Sequence, residues 1–326
     1  MTDFIPAADS PDSLPVGPQI LSVVPDNRQQ VEFTSPPVTE AHREIQHKVR
    51  RNRRIRLVLK HVFLILAGSV MIYPLLWMVS SSVRHNWDIF GNVSIFPAEW
   101  VWRNYPDGWN AQAFPFGRYM LNSAIITVGV ICGNLFSCTL AAYGFTRLRW
   151  RGRNIAFGVM LMTMMLPVYV LIIPQFIMWS QLGLINTFVP VILPSWFATS
   201  PFFIFLLVQF FRSIPRDLDE AAKIDGAGYF RTFFQVLLPN LTPALATVAI
   251  FSFIWTWNDF FNQLLYLTRP EMQTVAVALR NFADATAGTS WGSLFAMSTL
   301  SLLPVFIVFL FGQRFLVQGI ATTGLK

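Results

Sequence analysis

Charge is scarce in this chain. Asp, Glu, Lys and Arg make up 13% of its 326 residues, against 54% hydrophobic residues and a mean hydropathy of +0.48. That balance excludes an ordinary soluble enzyme and fits an all-α polytopic membrane protein. Cysteine is nearly absent. Cys132 and Cys138 lie in one apolar run and, on a helix, point in different directions, so a disulfide framework and a thiolate metal site are both excluded. They read as small buried hydrophobes. The four histidines, His42, His47, His61 and His85, all precede or border the first apolar run, and no catalytic constellation can be built from them. No GxxxxGK[ST] phosphate loop occurs, so a nucleotide would have to be used elsewhere. Internal repeats of the inverted-repeat kind are missing, and the apolar runs hold almost no carboxylate, which argues against an ion-coupled secondary carrier working alone. Asp259 is the one candidate for such a carboxylate. It stands near the outer end of its run, beside Trp255 and Trp257, where an interface residue is the plainer reading.

What is present is a succession of apolar runs with basic ends. The net charge of +7 is spread over those ends rather than gathered on one soluble face, which argues against a nucleic-acid partner. Residues 1–40 are rich in Pro, Ser, Asp and Val without periodicity and read as a disordered cytoplasmic tail. They lack the basic start and apolar core of a cleaved signal peptide. Residues 41–56 form a basic juxtamembrane segment carrying Lys48, Arg50, Arg51, Arg53, Arg54 and Arg56. Residues 57–326 read as a transmembrane domain of six helices, with spans at about 57–80, 119–145, 155–179, 188–211, 241–261 and 294–312. Pro167 and Pro174 should kink the third span. Gly129, Gly133 and Ala141 offer close packing in the second. Lys and Arg fall mainly on one side of this arrangement, about fifteen against five (Arg84, Arg103, Arg118, Arg269 and Arg280), which places both termini in the cytoplasm.

The stretch between the fourth and fifth runs is unlike either. Residues 215–240 read as a helix–turn–helix. Pro215 suits an early helical position, and Asp217, Asp219 and Glu220 put negative charge near the first turn. Gly226 and Gly228 break the helix, and Asp225 is placed to cap or orient the next one. Phe230, Phe233, Phe234 and Leu237 then recur at helical spacing, with Arg231 and Gln235 on another face, before Pro239 ends the element. Such a turned, partly charged pair at the mouth of a span suggests a docking element.

Glu220-Ala221-Ala222, Asp225-Gly226-Ala227 and Leu238-Pro239 resemble the EAA loop of ABC importer membrane subunits. The runs AAYGFTRLRWRGR and LGLINT, the pairs Phe96-Pro97 and Asn104-Tyr105, and the tail QRFLVQGIATTGLK are similar to carbohydrate-type permeases of that family, the maltose type included. The resemblance covers about Leu57 to Lys326. It implies a type I ABC importer transmembrane domain in a bacterial inner membrane, moving a sugar or related polar solute by alternating access. It implies a second permease subunit in a heterodimer, two ATP-binding subunits that hold the ATP and Mg, and an extracytoplasmic solute-binding protein. This chain itself would bind no cofactor or metal and catalyse nothing. The EAA-loop residues would contact an ATPase, with Gln318, Gly319 and Thr322 of the tail as further contacts. Polar positions in the runs give a candidate solute path: Asn122, Gln175, Trp257 and Asn258, with Ser123, Asn134, Ser195 and Thr199 as further polar residues and Trp196 and Trp255 as rings able to stack on a sugar. Helix–helix packing is the alternative use of these side chains.

Overall fold

The structure is a computed structural model that describes residues 40–91, 94–283 and 290–323; within these, the side chains of residues 40–48, 50, 51, 168 and 316–323 are not described. The expected tail at 1–40 lies almost wholly outside the described residues. The chain divides into two compact units, Met1–Ile65 and Leu66–Lys326. All regular structure among the described residues is helical.

Helix α1 (Glu40–Ser81) joins the basic segment and the first expected span in one continuous helix. Two short helices follow in the next connection, α2 (Asn86–Gly91) and α3 (Asn104–Trp109). Helix α4 (Phe116–Thr146) is the element the rest packs on. The residue ranges 189–213, 242–257 and 275–283 all pack against it. One face of α4 is buried, from Asn122 and Ile126 to Gly133, Cys138 and Ala142, while Leu121, Val128 and Phe136 on the other are exposed. A Cβ on Gly133 would stand 2.3 Å from Ser195 Oγ and 2.7 Å from the Trp196 ring. Glycine at this position therefore leaves room for those two side chains against α4.

The expected third span is not one helix. It is α5 (Arg153–Thr163) and α6 (Val168–Gln181), parted by a turn at 164–167. Pro167 cannot donate to the preceding turn and disfavours a helical residue before it, so the ladder stops there. Pro174 stays inside α6. The fourth span is likewise interrupted. Helix α7 (Val189–Ile192) runs into a 3-10 turn at Leu193–Phe197, Ala198 takes a left-handed φ of 56°, and α8 (Pro201–Ser213) resumes. Helix α9 (Asp217–Ile224) is followed by α10 (Tyr229–Arg231), a π-turn at Thr232–Leu237 and α11 (Leu238–Asn240). Helix α12 (Thr242–Trp257) leaves that element at a bend of 77°. Helices α13 (Phe261–Tyr266) and α14 (Val275–Ala283) fill the next connection, and α15 (Trp291–Thr323) is the last.

Four stretches among the described residues are long and apolar enough to cross a bilayer: Asn52–Ser81, Phe116–Thr146, Val189–Ser213 and Trp291–Phe315. The bent pair Tyr229–Asn240 and Thr242–Trp257 makes a fifth if counted as one span. Residues 155–179 supply no single helix of that length. The segment between the expected fifth and sixth spans is partly core: Val275, Ala278 and Phe282 of α14 are buried with Phe116, Tyr119, Trp257 and Met297. A second cluster lies at the other end of α4. There Ala142 and Tyr143 meet Leu207 and Phe211 of α8, Phe233 and Leu237 of the π-turn, and Val248 of α12. This cluster seats the helix–turn–helix.

Candidate functional site

Helix α9 starts later than the sequence suggests, at Asp217 rather than at Pro215. Ile214 is extended, as a residue before proline should be, Arg216 is the N-cap and Asp217 the first helical residue, so Pro215 stands outside the first turn. Asp217, Asp219 and Glu220 do occupy that turn. The helix closes in a Schellman motif: Ala227 N donates to Ala222 O at 2.8 Å and Gly226 N to Lys223 O at 3.0 Å, with Gly226 at φ 74°. The spacing from Ala222 to Gly226 and Ala227 is thus the spacing of one helix terminus. Asp225 is the C-cap of α9. It does not cap the second helix, whose N-cap is Gly228, with no side-chain bond.

The aromatic stripe beyond the turn does not stay on one face. Phe233 and Leu237 are buried, whereas Phe230 is 78% and Phe234 51% exposed. The wider π-turn carries Phe233 inward and leaves Phe234 outward. Arg231 Nε and Gln235 Oε1 pair at 2.9 Å on the exposed side, as their spacing suggests. Ile224 at the tip of α9 is 87% exposed and Tyr229 66%. The pair therefore has a seated side and an apolar free side.

The seated side depends on two residues of α4. Tyr143 donates from its hydroxyl to Tyr229 O at 3.1 Å, and its ring lies 4.9 Å from that of Phe233. Arg147, the C-cap of α4, reaches two elements. Its Nη2 donates to Phe211 O at 3.0 Å and to Ile214 O at 2.8 Å, taking up carbonyls at the end of α8. Its Nη1 stands 3.2 Å from Asp219 Oδ2 of α9, with the side chains 7% and 16% exposed. That approach is a charge contact rather than an aligned hydrogen bond, since Asp219 Oδ2 and Arg147 Nε have no hydrogen-bond partner. The pair is poorly hydrated, so each charge depends on the other. Next to it is a cavity of about 620 Å³ lined by Arg149, Arg216, Asp219, Glu220, Lys223 and Tyr229 among others. From sequence, Arg147 counts only as one basic residue at a span end. The available signal was a Tyr and an Arg one helical turn apart where an apolar run closes.

The remaining candidates are dispersed. Asn122 is buried, with Nδ2 donating to Glu271 O at 2.9 Å and Gln273 O at 2.8 Å. Ser123 Oγ accepts from Val275 N at 3.0 Å. Asn134 Nδ2 donates to Ser252 Oγ at 3.1 Å, and Ser195 Oγ to Ile192 O at 2.7 Å. Trp257 is buried and donates to Ser301 O at 3.2 Å. Gln175, Thr199 and Asn258 are exposed, and Asn258 Nδ2 donates to Ile254 O at 2.8 Å. Trp196 and Trp255 are half-exposed, Trp255 stacking on Phe203 at 5.0 Å. Gln318, Gly319 and Thr322 lie at the end of α15, where side chains are outside the described part. No cluster of His, Cys, Asp and Glu able to hold a metal occurs among the described residues.

Comparison with known proteins bears on the whole arrangement. Residues 125–322 match the family described as binding-protein-dependent transport system inner membrane component. The probable ABC transporter permease protein YurM of Bacillus subtilis is 35% identical over 90% of this chain and 97% of its own. The diacetylchitobiose uptake system permease protein NgcG of Streptomyces coelicolor is 34% identical over 78% and 84%, and the galactooligosaccharides transport system permease protein GanQ of Bacillus subtilis 32% over 86% and 98%. In fold, the chain is similar to a subunit of a bacterial ABC transporter involved in the import of the acidic polysaccharide alginate, with a TM-score of 0.72 at 24% identity over 81% of this chain and 97% of that one. The chain therefore belongs to the family of binding-protein-dependent transport system inner membrane components: it is a multi-pass, non-catalytic permease subunit of an ABC importer, which works with an ATPase and a solute-binding protein.

Proposed function

We propose that this permease carries a sugar or a related polar solute inward by alternating access, and that the α9–α11 element is where ATPase motion enters it. The observation that carries this reading is the two-sidedness of that element. Its inner side is tied to α4 and α8 through Arg147 and Tyr143, while the side chains of Ile224 and Phe230 stand free. A rigid lever needs both: a fixed end inside the permease and an apolar surface for the motor to grip. Glu220, Ala221, Ala222, Asp225, Gly226, Ala227, Leu238 and Pro239 build the lever. Ala222 and Gly226 shape its turn, and Glu220 offers a polar contact at its rim. The lever transmits force only because the ATPases' open and closed states bind it unequally.

The assembly that fits this role has a second permease subunit paired with this one as a heterodimer and two ATP-binding subunits, on which ATP and Mg reside. This chain holds no cofactor. Six spans with both termini in the cytoplasm place the lever on the ATPase side, and Gln318, Gly319 and Thr322 add a second contact there. The sugar assignment is supported by relatives named for diacetylchitobiose and galactooligosaccharides; another relative is named for sn-glycerol-3-phosphate. Gln175 and Asn258, both exposed, line the solute path, while Asn122 and Trp257 hold the backbone behind it. Uptake by Glu220→Lys and Gly226→Asp variants tests the lever. Both should lose solute uptake while remaining in the membrane, and normal uptake by both rules the lever out.

A further inference from the structure

Beside the lever lies a second cavity, of about 440 Å³, that the coupling role does not use. It is lined by Arg147, Arg149, Trp150, Arg153, Ile155 and Arg216, with Gly152 and Asn154 completing the wall. The neighbouring larger cavity shares three of these arginines and adds Lys223, but Asp219 and Glu220 offset part of that charge. This one has no carboxylate in its lining. Arg147 is engaged by Asp219, and Arg153 donates to Leu148 O at 3.3 Å. Among the described residues, Arg149, Arg153 and Arg216 form no ion pair. Guanidinium groups from the α4–α5 connection, the start of α5 and the N-cap of α9 therefore converge on one concavity whose lining holds no carboxylate. Fork-shaped donors of this kind suit phosphate oxygens.

The surroundings suggest what carries the phosphate. The cavity sits where the α4 span ends. Ile155, in its wall, is 76% exposed, and the apolar face continues down α5 through Val159 and Met162. Trp150 is 45% exposed at the rim, with Nε1 donating to Gly144 O at 3.2 Å. Cationic forks above, an indole at the boundary and bare apolar surface below match an amphiphile with an anionic head. We infer that Arg149, Arg153 and Arg216, with Trp150, form a binding site for the headgroup of an anionic phospholipid, wedged between the end of α4 and the base of the coupling lever. The inference rests on the coupling reading only for the site's cytoplasmic side. Because Arg216 caps α9, an occupied site also braces the lever from the lipid side.

Lipid retention by the purified full chain tests this without any ATPase, so its failure is distinct from failure of the lever. The chain is stripped in detergent, titrated with phosphatidylglycerol or phosphatidylcholine, and weighed intact by native mass spectrometry. Three proteins are compared: wild type, Arg149→Gln/Arg153→Gln/Arg216→Gln, and a charge-matched control, Arg53→Gln/Arg54→Gln/Arg56→Gln. The expected result is saturable retention of phosphatidylglycerol over phosphatidylcholine by wild type and control. The cavity variant should bind on the order of 100-fold more weakly, for three lost charges near a surface. Equal losses in both variants would assign the effect to diffuse charge and overturn the site. So would unchanged retention in the cavity variant. An Arg149→Lys/Arg153→Lys/Arg216→Lys variant guards against misfolding: it should fold and bind lipid at an intermediate level. Inorganic phosphate that shifts the melting midpoint of wild type, without any retained lipid, would overturn the lipid assignment. Loss of ATPase association in the cavity variant with lipid retention intact would give the arginines to a protein partner and overturn it too.

Discussion

Removing the Arg147 guanidinium is the sharpest perturbation of the lever. In Arg147→Gln the Asp219 carboxylate keeps its place but loses its counter-charge, and the carbonyls of Phe211 and Ile214 lose their donor. Breaking a buried pair from one side costs about 3–5 kcal/mol. Asp219 is 16% exposed, so the low end, about 3 kcal/mol, is the better figure. Because α9 has only one buried residue of its own, Ala222, the cost falls on the seating of α9 rather than on the whole fold. Amide hydrogen exchange over residues 217–224 should then speed up by on the order of 100-fold, while the α4 and α12 amides stay protected. In the assembled transporter the same variant should hydrolyse more ATP per solute moved. Asp219→Asn removes the charge contact but leaves Arg147 joined to α8, so it should free α9 with less loss elsewhere. A double-mutant cycle over the pair should give a coupling energy above about 1 kcal/mol. Additivity within about 0.5 kcal/mol, or exchange in α9 unchanged by Arg147→Gln, would refute the clamp.

Three further outcomes follow from local geometry. Gly226→Ala should cost about 1–2 kcal/mol of α9 closure from φ alone, since no atom lies within 4 Å of an added Cβ, and Gly226→Asn should recover part of it, read by exchange at the Ala227 amide. Ile224→Asp and Phe230→Asp should each weaken ATPase association by roughly 30-fold, as lost interface anchors do, and leave the melting midpoint of the isolated chain in place because both residues are exposed. Asn122→Ala strips the donor from two carbonyls of the connection before α14 and should cost about 1–3 kcal/mol, measured as a lower melting midpoint in detergent.

Features set by neighbouring residues are legible in the sequence. The second expected span, 119–145, is α4 within three residues at either end. The charge, glycine and spacing pattern of 217–227 is a capped helix with a left-handed terminus, features written within a few residues of one another. What escaped was long-range. Nothing near Arg147 in the chain names Asp219 as its partner, and nothing in the polarity of Asn122 says that it holds Glu271 O and Gln273 O. Hydropathy alone could not tell a continuous third span from two helices broken ahead of Pro167, nor show that α14 is packed into the core. The cap assigned to Asp225 failed because glycine at Gly228 begins the second helix without side-chain help.

The central claim is that force reaches this permease from an ATPase through α9–α11. The most direct measurement is solute uptake into vesicles holding this chain with its partner permease, ATPases and binding protein, against vesicles holding the permease subunits alone, with and without enclosed ATP. Uptake only in the complete, ATP-loaded vesicles, and its loss in Glu220→Lys, is the expected result. Uptake by the permease subunits alone would contradict the claim and restore the ion-coupled carrier.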